Sequence, residues 1–124
     1  MISKFALAAA GVINILPTLG VFGSKQLEKL YGIPFTEANL VILMRHRAVL
    51  FGFSGSFMIS AAFWNPQWKN LAITAGLSSM LSFVVLAMSS KNNFNAEIRR
   101  IVIIDLIASS ALITGVILDY TMDL

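Results

Sequence analysis

An all-α integral membrane bundle of four spanning helices, with both termini on the same side, is the fold class predicted by three observations. Of the 124 residues, 57% are hydrophobic and 12% charged, with a mean hydropathy of +0.81, whereas soluble domains run at roughly 45–50% apolar and about 25% charged. A soluble fold of this size would leave large apolar patches facing water, where they promote association. Four apolar windows approach the ~20 residues that cross a ~30 Å hydrocarbon core. The nine basic residues are spread unevenly over the connectors between those windows.

The first window, residues 3–22, holds FALAAAGVINILPTLGVF and is interrupted by Asn14 and Pro17. A membrane helix absorbs such a proline when neighbouring groups satisfy the freed carbonyl. Lys4 followed by an apolar stretch also has the outline of a signal peptide, but no small-x-small cleavage site follows, so the segment is expected to remain as a span. A connector over residues 24–35 has its own pattern. Ser24 is the expected N-cap; Leu27, Leu30 and Tyr31 fall at i, i+3 and i+4; Gly32 and Pro34 end the turn. The connector is expected to lie on the membrane surface as one or two amphipathic turns.

The second span covers residues 38–63, with Thr36 as the expected cap and Phe35 and Leu40 as a hydrophobic staple across it. Asn65 and Pro66 stop it. Trp64 and Trp68 then read as interfacial anchors, because an indole prefers the headgroup boundary. The third span covers residues 70–89 and is rich in small side chains. Lys91, Asn92, Asn93, Phe94 and Asn95 form the most polar stretch and therefore a loop, with Asn95 capping the next helix. The fourth span covers residues 97–118; Arg99 and Arg100 anchor its entry and Tyr120 marks its exit.

Charge sets the expected orientation. Lys25, Lys29, Arg45, Arg47, Lys91, Arg99 and Arg100 fall on one side, and Lys4 and Lys69 on the other. The positive-inside rule then puts the two long connectors in the cytoplasm and both termini outside. The net charge of +3 is too small to suggest a nucleic-acid partner. Expected partners are the lipid bilayer and, left open between them, a second copy of the chain or another membrane subunit. With no cysteine there is no disulfide framework, thiolate metal site or cysteine nucleophile.

The chemistry concentrates in LVILMRHRAVLFGFSG, residues 40–55, where Arg45, His46 and Arg47 interrupt an apolar run. Counted from Thr36, Arg45 lies roughly 13 Å along the axis at about 1.5 Å per residue. Asp105 lies at a similar depth in the fourth helix, which starts from the same side. Charged groups at such depth cost about 2.5–3.5 kcal/mol each on insertion scales and face the bundle interior or one another. At about 100° per residue the two arginines point some 200° apart, so one partner cannot serve both. Ala48, Gly52, Ser56 and Ser60 form a small-xxx-small row of the kind that packs membrane helices. Arg45 edges that row, so Arg45 and Asp105 are the expected buried pair, and Arg47 is expected to snorkel to the cytoplasmic headgroups. Such a pair can serve helix register alone. Asn14 is the other costly intramembrane group, and it is expected either in the same polar cluster or in an isolated interhelical hydrogen bond.

His46 is the only histidine. It lacks a second axial residue for haem and companions for a metal, so neither metal nor cofactor is expected. The main reading is a hydrogen-bonded structural residue, ahead of a proton relay or ligand contact.

The order of these features resembles the DoxX-like group of small bacterial four-helix membrane proteins. A short first helix leads to a connector ending at Leu30-Tyr31-Gly32. A second helix carries Arg47 followed by Gly52 and Gly55, and two plainer spans complete the chain. The resemblance covers most of the chain and implies a four-helix fold in the bacterial inner membrane, with no single activity attached. Three function classes remain. The first is a non-enzymatic accessory or lipid- or quinone-associated bundle. The second is a small proton-coupled transporter acting as a dimer, although the small multidrug transporters carry their essential acid in the first helix, where this chain has Asn14. A membrane enzyme using His46 and Asp105 ranks last, since no nucleophile, metal set or phosphate loop accompanies them.

Overall fold

The computed structural model describes residues 2–91 and 94–122. Asn92 and Asn93 of the expected polar loop lie outside the described residues. Within them the chain is all-α: α1 (Ile2–Ile15), α2 (Ser24–Tyr31), α3 (Ala38–Phe63), α4 (Lys69–Ser89) and α5 (Ala96–Met122). Four stretches are long and apolar enough to cross a membrane: Ile2–Phe22, Ala38–Phe63, Pro66–Ser89 and Ala96–Met122. The chain is a multi-pass membrane protein in architecture. Large apolar side chains such as Phe22, Phe53, Leu86 and Ile107 point outward, as lipid-facing residues do.

Pro17 shapes the first span. Its ring lacks an N–H and crowds the carbonyl four residues back, and the chain passes at Leu16 from α-helix into a 3-10 segment, Leu16–Phe22. The tighter winding rises about 2.0 Å per residue against about 1.5 Å, so the span keeps its length. α2 begins without the expected serine cap: the N-cap is Gly23 and no side chain caps the helix. Gly32 ends α2 in the left-handed conformation, φ 71° and ψ 20°, with its N–H on the Glu28 carbonyl at 2.7 Å. A side chain there would be strained.

The start of α3 differs from the expectation by one residue. Glu37, not Thr36, is the N-cap, and its carboxylate accepts from the Asn39 and Leu40 amides at 3.0 and 2.9 Å. A carboxylate at this position satisfies two orphan donors and also suits the positive end of the helix dipole. The Phe35–Leu40 staple does not form. Phe35 instead packs with Leu27 and Tyr31, against Val41, Met44 and Ile101, while Leu40 stays exposed. Asn95 does cap α5: its side-chain oxygen accepts from the Ile98 amide at 2.8 Å, and its NH2 donates to the Tyr31 carbonyl at 2.7 Å. One residue thereby ties α2 to α5.

α1 packs chiefly on α3 and α5, with α4 closing against α3 and α5. The core is built from Leu7, Ala10, Met58, Ala61, Ala72, Met80 and Leu112. Where α1 crosses α3, Gly11 and Gly55 face each other so closely that a Cβ on Gly55 would stand 2.5 Å from the Gly11 carbonyl oxygen. The helix-packing row is therefore Ala48, Gly52 and Gly55, not Ala48, Gly52, Ser56 and Ser60. Strict four-residue steps drift about 40° each around a helix, whereas a step of seven nearly closes two turns. Ser56 has drifted to an exposed position. Ser60 instead ends α3, its carbonyl accepting from Trp64 and Asn65 and its hydroxyl from the Asn65 side chain at 2.7 Å.

The start of α1 and the end of α5 meet at one end of the bundle. Asp119 accepts from the Ile2 amide at 2.5 Å, from the Ser3 amide at 3.0 Å and from the Ser3 hydroxyl, and pairs with Lys69 at 3.5 Å. This carboxylate caps α1 from another helix. Trp64, Trp68 and Tyr120 are exposed near this end, beside a Phe5–Phe63–Trp64 edge-to-face chain with Lys4 over Phe5 and Phe63. Arg99 and Arg100 are exposed at the opposite end, which also holds α2.

Candidate functional site

At the α2 end, the last turns of α1, the face of α2 and facing stretches of α3, α4 and α5 leave a cavity of about 390 Å³. Its walls are mostly apolar, from Ile13, Pro17, Leu30, Phe51, Phe83 and Ile101 among others, and its polar groups include Asn14, Tyr31, Arg47 and Asp105. Such a mixture, with polar groups few and localised, is typical of small-molecule sites of ~300–1,000 Å³.

Arg47 is the centre of the cavity. Position 47 lies about 100° round α3 from Ala48, on the same side as Phe51 and turned from the Ala48, Gly52 and Gly55 row that seats α3 on α1. Its guanidinium donates to the Tyr31 hydroxyl at 2.8 Å. The guanidinium carbon stands 4.7 Å from the Phe51 ring centroid, 5.4 Å from Tyr31 and 5.6 Å from Phe83. Three rings around a partly desolvated cation hold its plane, each contact contributing ~0.5–2 kcal/mol. Burial pushes the Tyr31 phenol above its ordinary value of 10.0, with the Arg47 charge and hydrogen bond pulling the other way. Tyr31 thus accepts from Arg47 and keeps its own proton to donate.

The expected Arg45–Asp105 pair is not formed. Arg45 is exposed, and its Nε donates to the Val21 carbonyl at 2.8 Å, at the end of the 3-10 segment. There the cation meets an orphan carbonyl and the negative end of a helix. Arg47, expected at the headgroups, is the inward arginine. The physical reason is the packing row. Ala48, Gly52 and Gly55 seat α3 against α1, so a residue at the edge of that row reaches the end of the first span rather than the bundle interior. Asp105 borders the same cavity as Arg47. Among the described residues, neither has an ionic partner within 4.0 Å.

His46 points outward, exposed, and takes no hydrogen bond from any described residue, so the structural hydrogen bond expected of it is not made. Asn14 is buried, donates to the Ala10 carbonyl of its own helix at 2.8 Å and borders the cavity. Among the described residues no group of three or more His, Asp or Glu side chains is placed to hold a metal.

Tyr31, Phe51 and Phe83 were not singled out as site residues from the sequence. The signal for Tyr31 was present, since it ends the i, i+3, i+4 row of the connector that packs onto the bundle. For the two phenylalanines, in runs of apolar residues, no signal distinguished them from core. Compared with protein-family models, curated proteins and solved structures, the chain matches none.

Proposed function

We propose that the chain is a non-enzymatic, lipid- or quinone-associated bundle of the DoxX-like kind, resident in the bacterial inner membrane with its α2 end cytoplasmic and its termini outside. The observation that carries this reading is the 390 Å³ apolar-walled cavity around Arg47, whose guanidinium is held by the Tyr31 hydroxyl and the rings of Tyr31, Phe51 and Phe83 and, among the described residues, has no carboxylate in contact. A charged group kept at depth without a contacting counter-charge is expensive, and intramembrane charges commonly mark a ligand site. A bound amphiphile with an acceptor-rich head would meet the unused donors of Arg47 and Tyr31, and its chain would lie along the apolar walls. The orientation rests on seven basic residues at the α2 end against Lys4 and Lys69 at the other. The test is solvent extraction of protein purified in a mild detergent. Mass spectrometry of the extract should find one amphiphilic small molecule near equimolar with protein, and an extract holding only bulk membrane lipid in bulk proportions would refute the reading.

A second reading, a proton-coupled transporter acting as a dimer, is favoured by Asp105, a carboxylate bordering the cavity with no ionic partner in contact among the described residues. It requires proton release when candidate cations are added to proteoliposomes, with the signal abolished in Asp105→Asn. Silence across a broad panel of cations removes it.

A further inference from the structure

The cavity has a charge pattern that narrows the ligand. Its basic groups are Lys29, Arg47 and Arg100 and its acidic groups Glu97 and Asp105, one positive charge in excess. Arg47 uses one N–H on Tyr31, and its remaining donors meet no described acceptor. Tyr31, a residue only 6% exposed, accepts that bond through its hydroxyl, which retains a proton to give. Two adjacent side chains thus offer several donors into one space, which the carboxylates of Glu97 and Asp105 also border. Leu86 on α4 and Ile104 on α5, apolar lining residues, are 70% and 36% exposed, so the lining of the cavity continues onto the outer apolar surface of the bundle.

From these observations we infer that the cavity binds a singly charged phosphate group, with Arg47 as the deep anchor, Tyr31 as a second donor and Lys29 and Arg100 at the rim. The inference rests on the ligand-binding reading above and names its headgroup chemistry. An uncharged quinone carbonyl would use the donors but leave the excess charge unmet; a phosphodiester meets both, and a guanidinium fork matches phosphate oxygens. The phosphate can be carried by a lipid or by a soluble molecule. The exposed apolar lining at Leu86 and Ile104 favours the lipid, and the volume accommodates a head with part of one chain rather than a whole lipid.

The experiment measures thermal unfolding of the detergent-solubilised full chain with four added probes. These are lauroyl lysophosphatidylglycerol, monolaurin with the same chain and no phosphate, inorganic phosphate, and decylubiquinone. Saturable stabilisation by the lysolipid but not by monolaurin, with apparent affinity weakened roughly tenfold or more in Arg47→Gln, supports the proposal. Arg100→Gln, an exposed change that leaves the fold intact, should weaken it to a smaller extent and keeps the test valid if Arg47→Gln does not fold. Equal stabilisation by inorganic phosphate also supports the phosphate site and assigns it to a soluble ligand. Stabilisation by decylubiquinone alone overturns the phosphate inference while leaving the lipid- or quinone-binding reading standing. No response to any of the four overturns both, as does a lysolipid response unchanged in Arg47→Gln and Arg100→Gln.

Discussion

Replacing Gly55 by alanine tests the packing that directs Arg47 inward. A Cβ at position 55 would lie 2.5 Å from the Gly11 carbonyl oxygen and 3.0 Å from the Ile15 amide nitrogen, both backbone atoms that cannot rotate away. The first distance is about 0.9 Å short of the 3.4 Å at which ordinary contact begins, so α1 and α3 must separate along their crossing. At Gly52 the nearest atom is the Thr18 hydroxyl at 3.1 Å, about 0.3 Å short, and it belongs to a side chain. Overpacking costs typically 1–3 kcal/mol, and alanine returns roughly 0.8–1.0 kcal/mol of helix propensity over glycine. Because the atoms met at Gly55 are backbone, the upper half of that range applies there, and Gly55→Ala should destabilise by about 1–2 kcal/mol, while Gly52→Ala should stay within about 0.5 kcal/mol of the parent. The assay is helicity followed as SDS is titrated into dodecyl maltoside micelles. If the two variants unfold together, or if Gly52→Ala is the weaker, the close approach of α1 to α3 at Gly11 and Gly55 is wrong.

Other consequences follow from single contacts. Asp119→Asn removes the charge that accepts from the Ile2 and Ser3 amides and pairs with Lys69, and it should lower the unfolding midpoint in the same titration; no change would discount the clasp. Lys69→Met should cost under about 1 kcal/mol, since the pair is long at 3.5 Å and lies at the partly exposed end of the bundle, where ion pairs contribute little. Asp105→Asn should leave stability unchanged within about 1 kcal/mol or raise it, because no arginine contacts the carboxylate; a loss of about 3–5 kcal/mol would reveal a buried ion pair. In Tyr120→Phe, the remaining phenol is Tyr31. Its absorbance titration should fall above the ordinary 10.0. Because the folded state holds that proton more tightly, Tyr31 stabilises the fold below pH ~10, and its contribution is lost as pH rises through the raised value. A midpoint at or below 10.0 would contradict its burial.

Much of the architecture was legible in the sequence because lipid imposes simple demands. A span needs a long apolar window, its ends need caps and interfacial groups, and Asn95, Gly32 and Pro66 punctuate accordingly. The site was legible in part. Three costly residues at depth, Asn14, Arg47 and Asp105, border one cavity, but the choice between the two arginines depended on which face of α3 meets α1. That face follows alternating three- and four-residue steps, and a strict four-residue row had pointed to Ser56 and to Arg45. The difference is a few tens of degrees of helix rotation, enough to exchange an inward side chain for one capping the Val21 carbonyl. Asp119 lies beyond the apolar window, where hydropathy gives no reason to single it out. An acid in the last turn of a helix opposes the dipole, and that local mismatch was the signal for a distant partner. Glu37 shows the same limit at one residue's resolution: Thr36 and Glu37 are both plausible caps, and tertiary packing of Phe35 against α2 decides between them.

The division of labour between the two arginines is tested most directly by native mass spectrometry of Arg45→Ala and Arg47→Ala beside the parent, released from the same detergent. With Arg47 in the cavity and Arg45 on the Val21 carbonyl, the bound amphiphile should be lost from Arg47→Ala and retained at parental occupancy by Arg45→Ala. Retention by Arg47→Ala, or equal loss from both variants, would contradict the assignment of the cavity as the ligand site.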